Sequence, residues 1–116
     1  MYKKLEKRTN KWASDKGFFE KAKPINQIHK TLEEAQETLE AIIAQQNNLE
    51  TFENSKGKIV NTKEEIKDGF GDLLVTILIG CKMQDLNPLE CLESALNVIE
   101  KRTGKMIGGQ FVKDKK

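Results

Sequence analysis

Apolar residues recur at helical spacing through the middle of the chain. Between Ile25 and Gln46 there is neither glycine nor proline, and Pro24 stands where a helix accepts proline, at its start. A helix over this stretch carries one apolar stripe made of Ile25, Ile28, Leu32, Ala35, Leu39, Ile42 and Ile43. The pattern predicts a long amphipathic helix over about residues 25–46.

A shorter helix is predicted near the N-terminus, from about Tyr2 to Asp15. Its large apolar anchors are Leu5 and Trp12, and Gly17 follows its end as a C-terminal glycine commonly does. The segment FFEKAKP that comes next is interpreted as a loop.

The polar segment from Asn47 to Asn61 lacks periodicity, so we expect an irregular, mobile connection that could act as a lid. Thr62 and Glu65 have the spacing of a capping box, which predicts that a third helix begins there and runs to about Met83. Apolar residues surround nearly its whole circumference, which predicts a central position in a bundle. They are Ile66, Phe70, Leu73, Leu74, Val75, Ile77, Leu78 and Ile79.

A fourth helix is predicted to begin at Asn87-Pro88 and to end near Gly104. Its expected inner face consists of Leu89, Leu92, Ala95, Leu96 and Ile99. The tail MIGGQFVK is predicted to form two short extended arms around Gly108-Gly109. These elements predict an all-α, four-helix bundle-like fold with a short β-hairpin-like tail, in one domain over residues 1–116.

Charge and hydropathy exclude several classes of protein. Twenty basic and 18 acidic residues leave a formal charge of +2, so no stable nucleic-acid complex is expected, and the basic end is interpreted as solvated. No signal peptide is recognisable, and the longest apolar run, Leu73 to Cys81, is too short to cross a bilayer. We therefore expect a cytoplasmic protein without a membrane partner.

Histidine and cysteine offer little chemistry. The single histidine, His29, excludes histidine-based triads and a ferritin-like di-iron site, and there is no Gly-rich phosphate loop. Cys81 and Cys91 are expected to be reduced core residues. Any catalysis must therefore depend on acidic side chains.

Asp68 and Asp72 stand one turn apart on the predicted third helix, on the face that Val75 and Ile79 continue. We expect their carboxylates to point into an interior or a cleft. Buried carboxylates need a cationic partner, which could be lysine, arginine or a metal ion.

The long helix supplies more acids, because Glu33, Glu34 and Glu37 gather with Gln27 and Lys30 opposite its apolar stripe. This face is interpreted either as the solvated side of an amphipathic helix or, if another helix covers it, as half of a divalent-cation site. Two metals there would suit phosphoryl chemistry, since they neutralise polyphosphate and lower the pKa of bound water. The alternative is a non-enzymatic helical interaction protein with an acidic face.

The motifs QIHKTLEEAQE around Glu33 and DGFGDLLVTIL around Asp72, with the ending NVIEKRTGKMIGGQFVK, resemble the MazG-like nucleotide pyrophosphohydrolases, especially the small phage type. The resemblance extends over nearly the whole chain. It implies an all-helical NTP pyrophosphatase fold, a homodimer or homotetramer, and Mg²⁺-dependent cleavage of nucleoside triphosphates between the α and β phosphates, with Mn²⁺ as a substitute.

The resemblance also implies residue roles. Glu34, Glu37 and Asp72 become metal ligands, and Glu33 becomes a further ligand or the group that orients the attacking water. The family pattern ExxD departs here, because Gly69 stands three residues before Asp72, and Asp68 takes the place of the acid from one position earlier. Glu65 begins a second formal ExxD match but is assigned to the capping box. The expected substrate contacts are Trp12, Gln27, Lys30, Asn97, Arg102 and Lys105, with Trp12 either stacking on the base or anchoring its helix.

Overall fold

The structure, a computed structural model, describes residues 1–114, which are mostly helical with a short C-terminal β-hairpin. The elements in chain order are α1 (Tyr2–Asp15), α2 (Phe18–Lys21), α3 (Pro24–Gln46), β1 (Thr51–Glu53), β2 (Ile59–Asn61), α4 (Thr62–Met83), α5 (Pro88–Ile99), β3 (Gly104–Ile107) and β4 (Gln110–Lys113). The described chain divides into two compact units, and the second begins at Leu86.

The four long helices were all predicted, and their bounds agree to within two residues except at the end of α5, which lies at Ile99 and not near Gly104. The side-chain oxygen of Asn87 accepts hydrogen bonds from the backbone N–H groups of Leu89 and Glu90, so it caps α5 as expected. The C-terminal hairpin is also confirmed, with β3 and β4 antiparallel around Gly108-Gly109. Gly108 and Gly109 both have positive φ angles, as a tight hairpin turn requires.

Three local predictions are wrong. Part of the FFEKAKP segment forms the short helix α2, and the segment expected to be irregular contains the antiparallel strands β1 and β2. The third is the capping box: Asn61 caps α4 by accepting a hydrogen bond from the N–H of Glu64, and Thr62 is the first helical residue. The Thr62 hydroxyl instead donates to the carbonyl of Leu49, at 2.7 Å.

Helices α3 and α4 pack on each other through a polar seam. The Gln27 amide nitrogen donates to the Thr76 carbonyl at 3.0 Å, and the Thr31 hydroxyl bonds to the Thr76 hydroxyl at 2.9 Å. Gln27 and Thr76 are buried, so these bonds satisfy groups that would otherwise be costly to remove from water.

The same seam includes a close approach between Gly69 of α4 and Thr38 of α3. A Cβ atom at position 69 would lie 2.3 Å from the Thr38 hydroxyl oxygen and 3.1 Å from its Cβ. The hydroxyl is held in place because it donates to the Glu34 carbonyl, at 2.8 Å. Only glycine therefore lets the two helices come this near.

The apolar stripe of α3 does not form the core that the sequence predicted. Its large side chains, at 37–61% exposure, are Ile25, Ile28, Leu32, Leu39, Ile42 and Ile43. The buried positions of α3 are instead on the other face: Gln27, Glu34, Thr38, Ala41 and Ala44. Helix α4 thus covers the polar side of α3, because that side offers the small and hydrogen-bonding residues of the seam.

Helix α4 is correspondingly not enclosed by apolar neighbours, contrary to the prediction. Ile79 is buried, but Phe70, Leu74 and Ile77 are exposed. In the second unit, residues 86–114 include no buried side chain, so the expected inner face of α5 is exposed as well. Cys91 is exposed and Cys81 half-buried, which corrects the prediction of two core cysteines.

No helix within residues 1–114 combines the length and the apolar character needed to cross a membrane.

The close approach at Gly69 gives a direct test of the seam. We expect Gly69→Ala to lower the free energy of unfolding by about 1–3 kcal/mol, because the new methyl group overlaps Thr38. Gly71→Ala is the matched control: no neighbouring atom lies within 4 Å of a Cβ there, so the higher helix propensity of alanine should stabilise by about 0.5–1 kcal/mol. Urea denaturation measures both, and equal effects of the two substitutions would contradict the packing.

Candidate functional site

A cleft of about 260 Å³ lies where α3, α4 and the β1–β2 hairpin meet, within the first unit. The helices supply carboxylates to it and the hairpin supplies amines. Its lining consists of Glu34, Glu37, Thr38 and Glu40 from α3, Asn54, Ser55, Lys56, Lys58 and Val60 from the hairpin, and Glu65, Asp68, Gly69 and Asp72 from α4.

Helix α3 presents its acids to the cleft because they follow one another at intervals of three residues. Glu34 is the most enclosed of them, with 9% of its surface exposed, and Glu37 is half-buried. Glu34 is placed there by the seam, since Thr38, one turn later, is fixed against Gly69. The packing that brings α3 close to α4 therefore also directs Glu34 into the cleft.

Helix α4 contributes Glu65, Asp68 and Asp72, which recur at three- and four-residue intervals on one face. Asp68 and Asp72 are exposed on the cleft wall, not enclosed in a protein interior. Glu65 also lines the cleft, and its assignment to the capping box is wrong because Asn61 alone among the neighbouring side chains caps the helix. The two aspartates thus share a cleft with Glu34 and Glu37.

Packing explains why glycine occupies position 69. Its Cβ direction points at the Thr38 hydroxyl, and a glutamate there would have to displace α3. Asp68 lies one position earlier and reaches the cleft wall without this obstacle. Glycine at position 69 and aspartate at position 68 are therefore both compatible with the close packing of the helices.

The hairpin lysines were missed by the sequence analysis. Lys56 Nζ lies 3.9 Å from Glu37 Oε1, across the cleft from α3. The side-chain oxygen of Asn54 accepts hydrogen bonds from the backbone N–H groups of Lys56 and Lys58, both at 3.0 Å, and Gly57 has a φ of 78°. Asparagine three residues before glycine is a usable turn signal, and it was present in the segment NSKG.

Two carboxyl groups have raised pKa values. The pKa of Asp72 is raised above its ordinary value first by desolvation and then by the negative charges of Glu34 and Asp68. The pKa of Glu37 is raised by desolvation and by Glu34. Lys30 and Lys56 act in the opposite direction on both groups but do not cancel these effects. The cleft is therefore a site where negative charge is under-compensated.

Lys30 is held beside the acids of its own helix. Its Nζ lies 3.5 Å from Glu34 Oε1 and 3.7 Å from Glu33 Oε2. Its pKa is raised: desolvation, the largest single influence, lowers it, but the combined charges of Glu33, Glu34 and Glu37 and a hydrogen bond to Glu34 outweigh that effect. Glu33 itself is exposed and does not line the cleft.

The other residues expected to contact a substrate lie elsewhere. Gln27 is buried in the seam, with its amide nitrogen bonded to Thr76. Trp12, 48% exposed, lies against Phe18 with ring centroids 5.3 Å apart, as an anchor between α1 and α2 would. Three further candidates belong to the second unit, where they are exposed: Asn97, Arg102 and Lys105.

Carboxylate oxygens are the donors that hard divalent cations prefer, so the residues of the cleft are chemically suited to such an ion. Within residues 1–114, however, no three His, Cys, Asp or Glu side chains are arranged to hold a metal ion directly. Direct binding of a cation would require the carboxylate side chains to rotate. Alternatively, waters that remain on the ion would bridge it to the carboxylates, as is common for magnesium.

The raised pKa of Asp72 gives a pH-dependent prediction for stability. A carboxyl group with a raised pKa binds its proton at a higher pH in the folded protein than in the unfolded chain. The free energy of unfolding therefore rises as the pH falls through the pKa of the folded state. The rise ends below about pH 3.9, where the unfolded chain is protonated as well. Without divalent cations at neutral pH, Asp72→Asn should therefore raise Tm by a few degrees, and the difference should shrink on acidification.

Differential scanning fluorimetry in a chelating buffer from neutral to acidic pH measures this effect. Glu93→Gln, which removes one charge at an exposed position of α5, is the matched control. A lower Tm for Asp72→Asn at every pH would contradict the prediction.

Comparison of this chain with models of protein families, with curated proteins and with solved structures finds no match in any of the three.

Proposed function

We propose that this protein is a magnesium-dependent nucleoside triphosphate pyrophosphohydrolase of the MazG-like kind, which converts a (d)NTP to a (d)NMP and pyrophosphate. One observation carries the proposal: Glu34 and Glu37 of α3 line the same cleft as Asp68 and Asp72 of α4. These are the acids that the sequence resemblance assigns as metal ligands.

The electrostatics of the cleft support a bound divalent cation. Six carboxylates line it against two lysines, which leaves a net of four negative charges when every group is ionised. The pKa values of Asp72 and Glu37 are raised first by desolvation and then by the negative charges held near them. A divalent ion would relieve this repulsion.

In the proposed reaction the four acids would hold magnesium, with Glu65 of the same cleft available as a further ligand. Magnesium, when bound, neutralises the polyphosphate and activates water for attack on phosphorus. Glu34 would orient that water by accepting its hydrogen bond, and Lys30, ion-paired to Glu34, would keep this carboxylate in place. Mn²⁺ is expected to replace magnesium.

The size of the cleft fits the phosphate part of such a substrate. Ligand pockets for whole small molecules are commonly about 300–1,000 Å³, and this cleft, at about 260 Å³, is slightly smaller than that range. The base and sugar would extend beyond it, and the sequence resemblance offers Trp12 as the side chain that stacks on the base.

We propose that the protein assembles as a homodimer or homotetramer. Assembly would complete the four-helix bundle-like core that one chain lacks. The support is the exposed apolar stripe of α3, which is long, continuous and opposite the face that α4 covers. Large contiguous apolar surfaces are uncommon on monomers, and a stripe on a long helix fits the same stripe of a second copy around a two-fold axis.

Assembly is tested by placing a charge on the stripe. Leu32→Asp should shift the protein to monomer and lower its Tm, because it introduces an unpaired charge into the proposed interface. Ser14→Asp, which adds the same charge at an exposed position of α1, should leave the assembly unchanged. Sedimentation velocity measures the oligomeric state of the wild type and of both variants. A monomeric wild type at micromolar concentration would refute the assembly.

Activity is tested by pyrophosphate release from a panel of ribo- and deoxyribonucleoside triphosphates with magnesium. Glu37→Gln and Asp72→Asn should each lower kcat/KM by on the order of 100-fold or more with the fold retained, because each removes a metal ligand. Glu93→Gln should have wild-type activity. Circular dichroism verifies folding, and a folded wild type that releases no pyrophosphate from any member of the panel would overturn the proposal.

A further inference from the structure

The β1–β2 hairpin carries the only amines that line the cleft within the described residues, and the proposed function leaves them unassigned. Their backbone is well ordered by local bonds. Asn54 accepts from two N–H groups of the turn, its own N–H donates to the Lys58 carbonyl at 2.8 Å, and the Gly57 N–H donates to the Asn54 carbonyl at 3.0 Å. Lys56 is thus presented from a tight turn, and its side chain keeps its freedom, at 67% exposure.

Lys56 faces the cluster that we assign to the cation. Its 3.9 Å separation from Glu37 is at the long end of an ion pair, and a flexible, exposed side chain in such a pair is weakly held. A divalent cation on Glu37 would repel the ammonium group and take over its partner. Lys56 would then be a free positive charge at the rim of the same cleft.

Among the described residues, Lys56 and Lys58 are the two amines of the cleft lining that an anionic ligand could contact. With six carboxylates present, polyphosphate is repelled until a divalent cation has bound. With a divalent cation bound, Lys56 could reach a phosphate oxygen that the metal does not hold and would donate a charge-assisted hydrogen bond to it.

We infer that Lys56 is a substrate-binding residue that exchanges partners: it is the counter-ion of Glu37 in the free protein and contacts a phosphate of the metal–polyphosphate complex when substrate binds. The inference rests on the proposed function and adds to it the residue that recognises the polyphosphate chain. Removal of the Lys56 amine should therefore raise the affinity for the metal ion and lower the affinity for polyphosphate.

The test measures the two ligands separately by isothermal titration calorimetry, with Mn²⁺ alone and with inorganic pyrophosphate in saturating Mg²⁺. Lys56→Ala should bind Mn²⁺ about two- to fivefold more tightly, because a competing positive charge is removed. The same variant should bind magnesium pyrophosphate about tenfold more weakly, because a charge-assisted bond is lost. Lys56→Arg should recover most of the pyrophosphate affinity.

Lys63→Ala is the matched control, since Lys63 is an exposed lysine of α4 outside the cleft lining, and neither affinity should change. If Lys56→Ala weakens both ligands, or leaves pyrophosphate affinity equal to that of the wild type, the inference is overturned while the proposed function stands. If the wild type binds no Mn²⁺, the proposed function itself fails.

Discussion

The close packing of α4 on the polar side of α3 is the constraint on which the rest of the first unit depends. Gly69 lets the helices approach until Thr38 occupies the space of a side chain, and the bonds among Gln27, Thr31 and Thr76 satisfy the polar groups that this contact buries. A seam of this kind stabilises one register of the helix pair, because a shift of either helix would leave buried donors and acceptors unpaired. The carboxylates of the cleft then have fixed positions on both walls.

The same packing has an electrostatic cost. It places acids of two helices around one cleft, where desolvation and mutual repulsion raise the pKa values of Asp72 and Glu37. Stability is therefore sacrificed at the candidate site, as is common where charged groups are arranged for binding or chemistry. The hairpin offsets part of this repulsion with Lys56, whose positive charge lowers the pKa values of both groups.

Much of the candidate site could be predicted from helical periodicity. The spacing of Asp68 and Asp72, and of Glu34 and Glu37, predicted two acidic faces, and the structure has both of them on one cleft. The hairpin was not predicted, since each of its strands has three residues, too few for an alternating pattern to be recognised. Its lysines could therefore not be placed, nor could Glu65 be separated from a capping role without knowing that Asn61 caps α4.

The sequence by itself determined where the four long helices lie, the C-terminal hairpin, and which positions of each helix share a face, because these follow from local spacing and from turn and cap residues. Only the tertiary structure decided which face each neighbour covers. Periodicity defines an apolar stripe but not its partner, and here the seam with α4 takes the polar side of α3 and leaves the apolar stripe exposed. The need for glycine at position 69 could not be predicted from spacing, because it arises from the Thr38 side chain of another helix, which a larger residue would overlap.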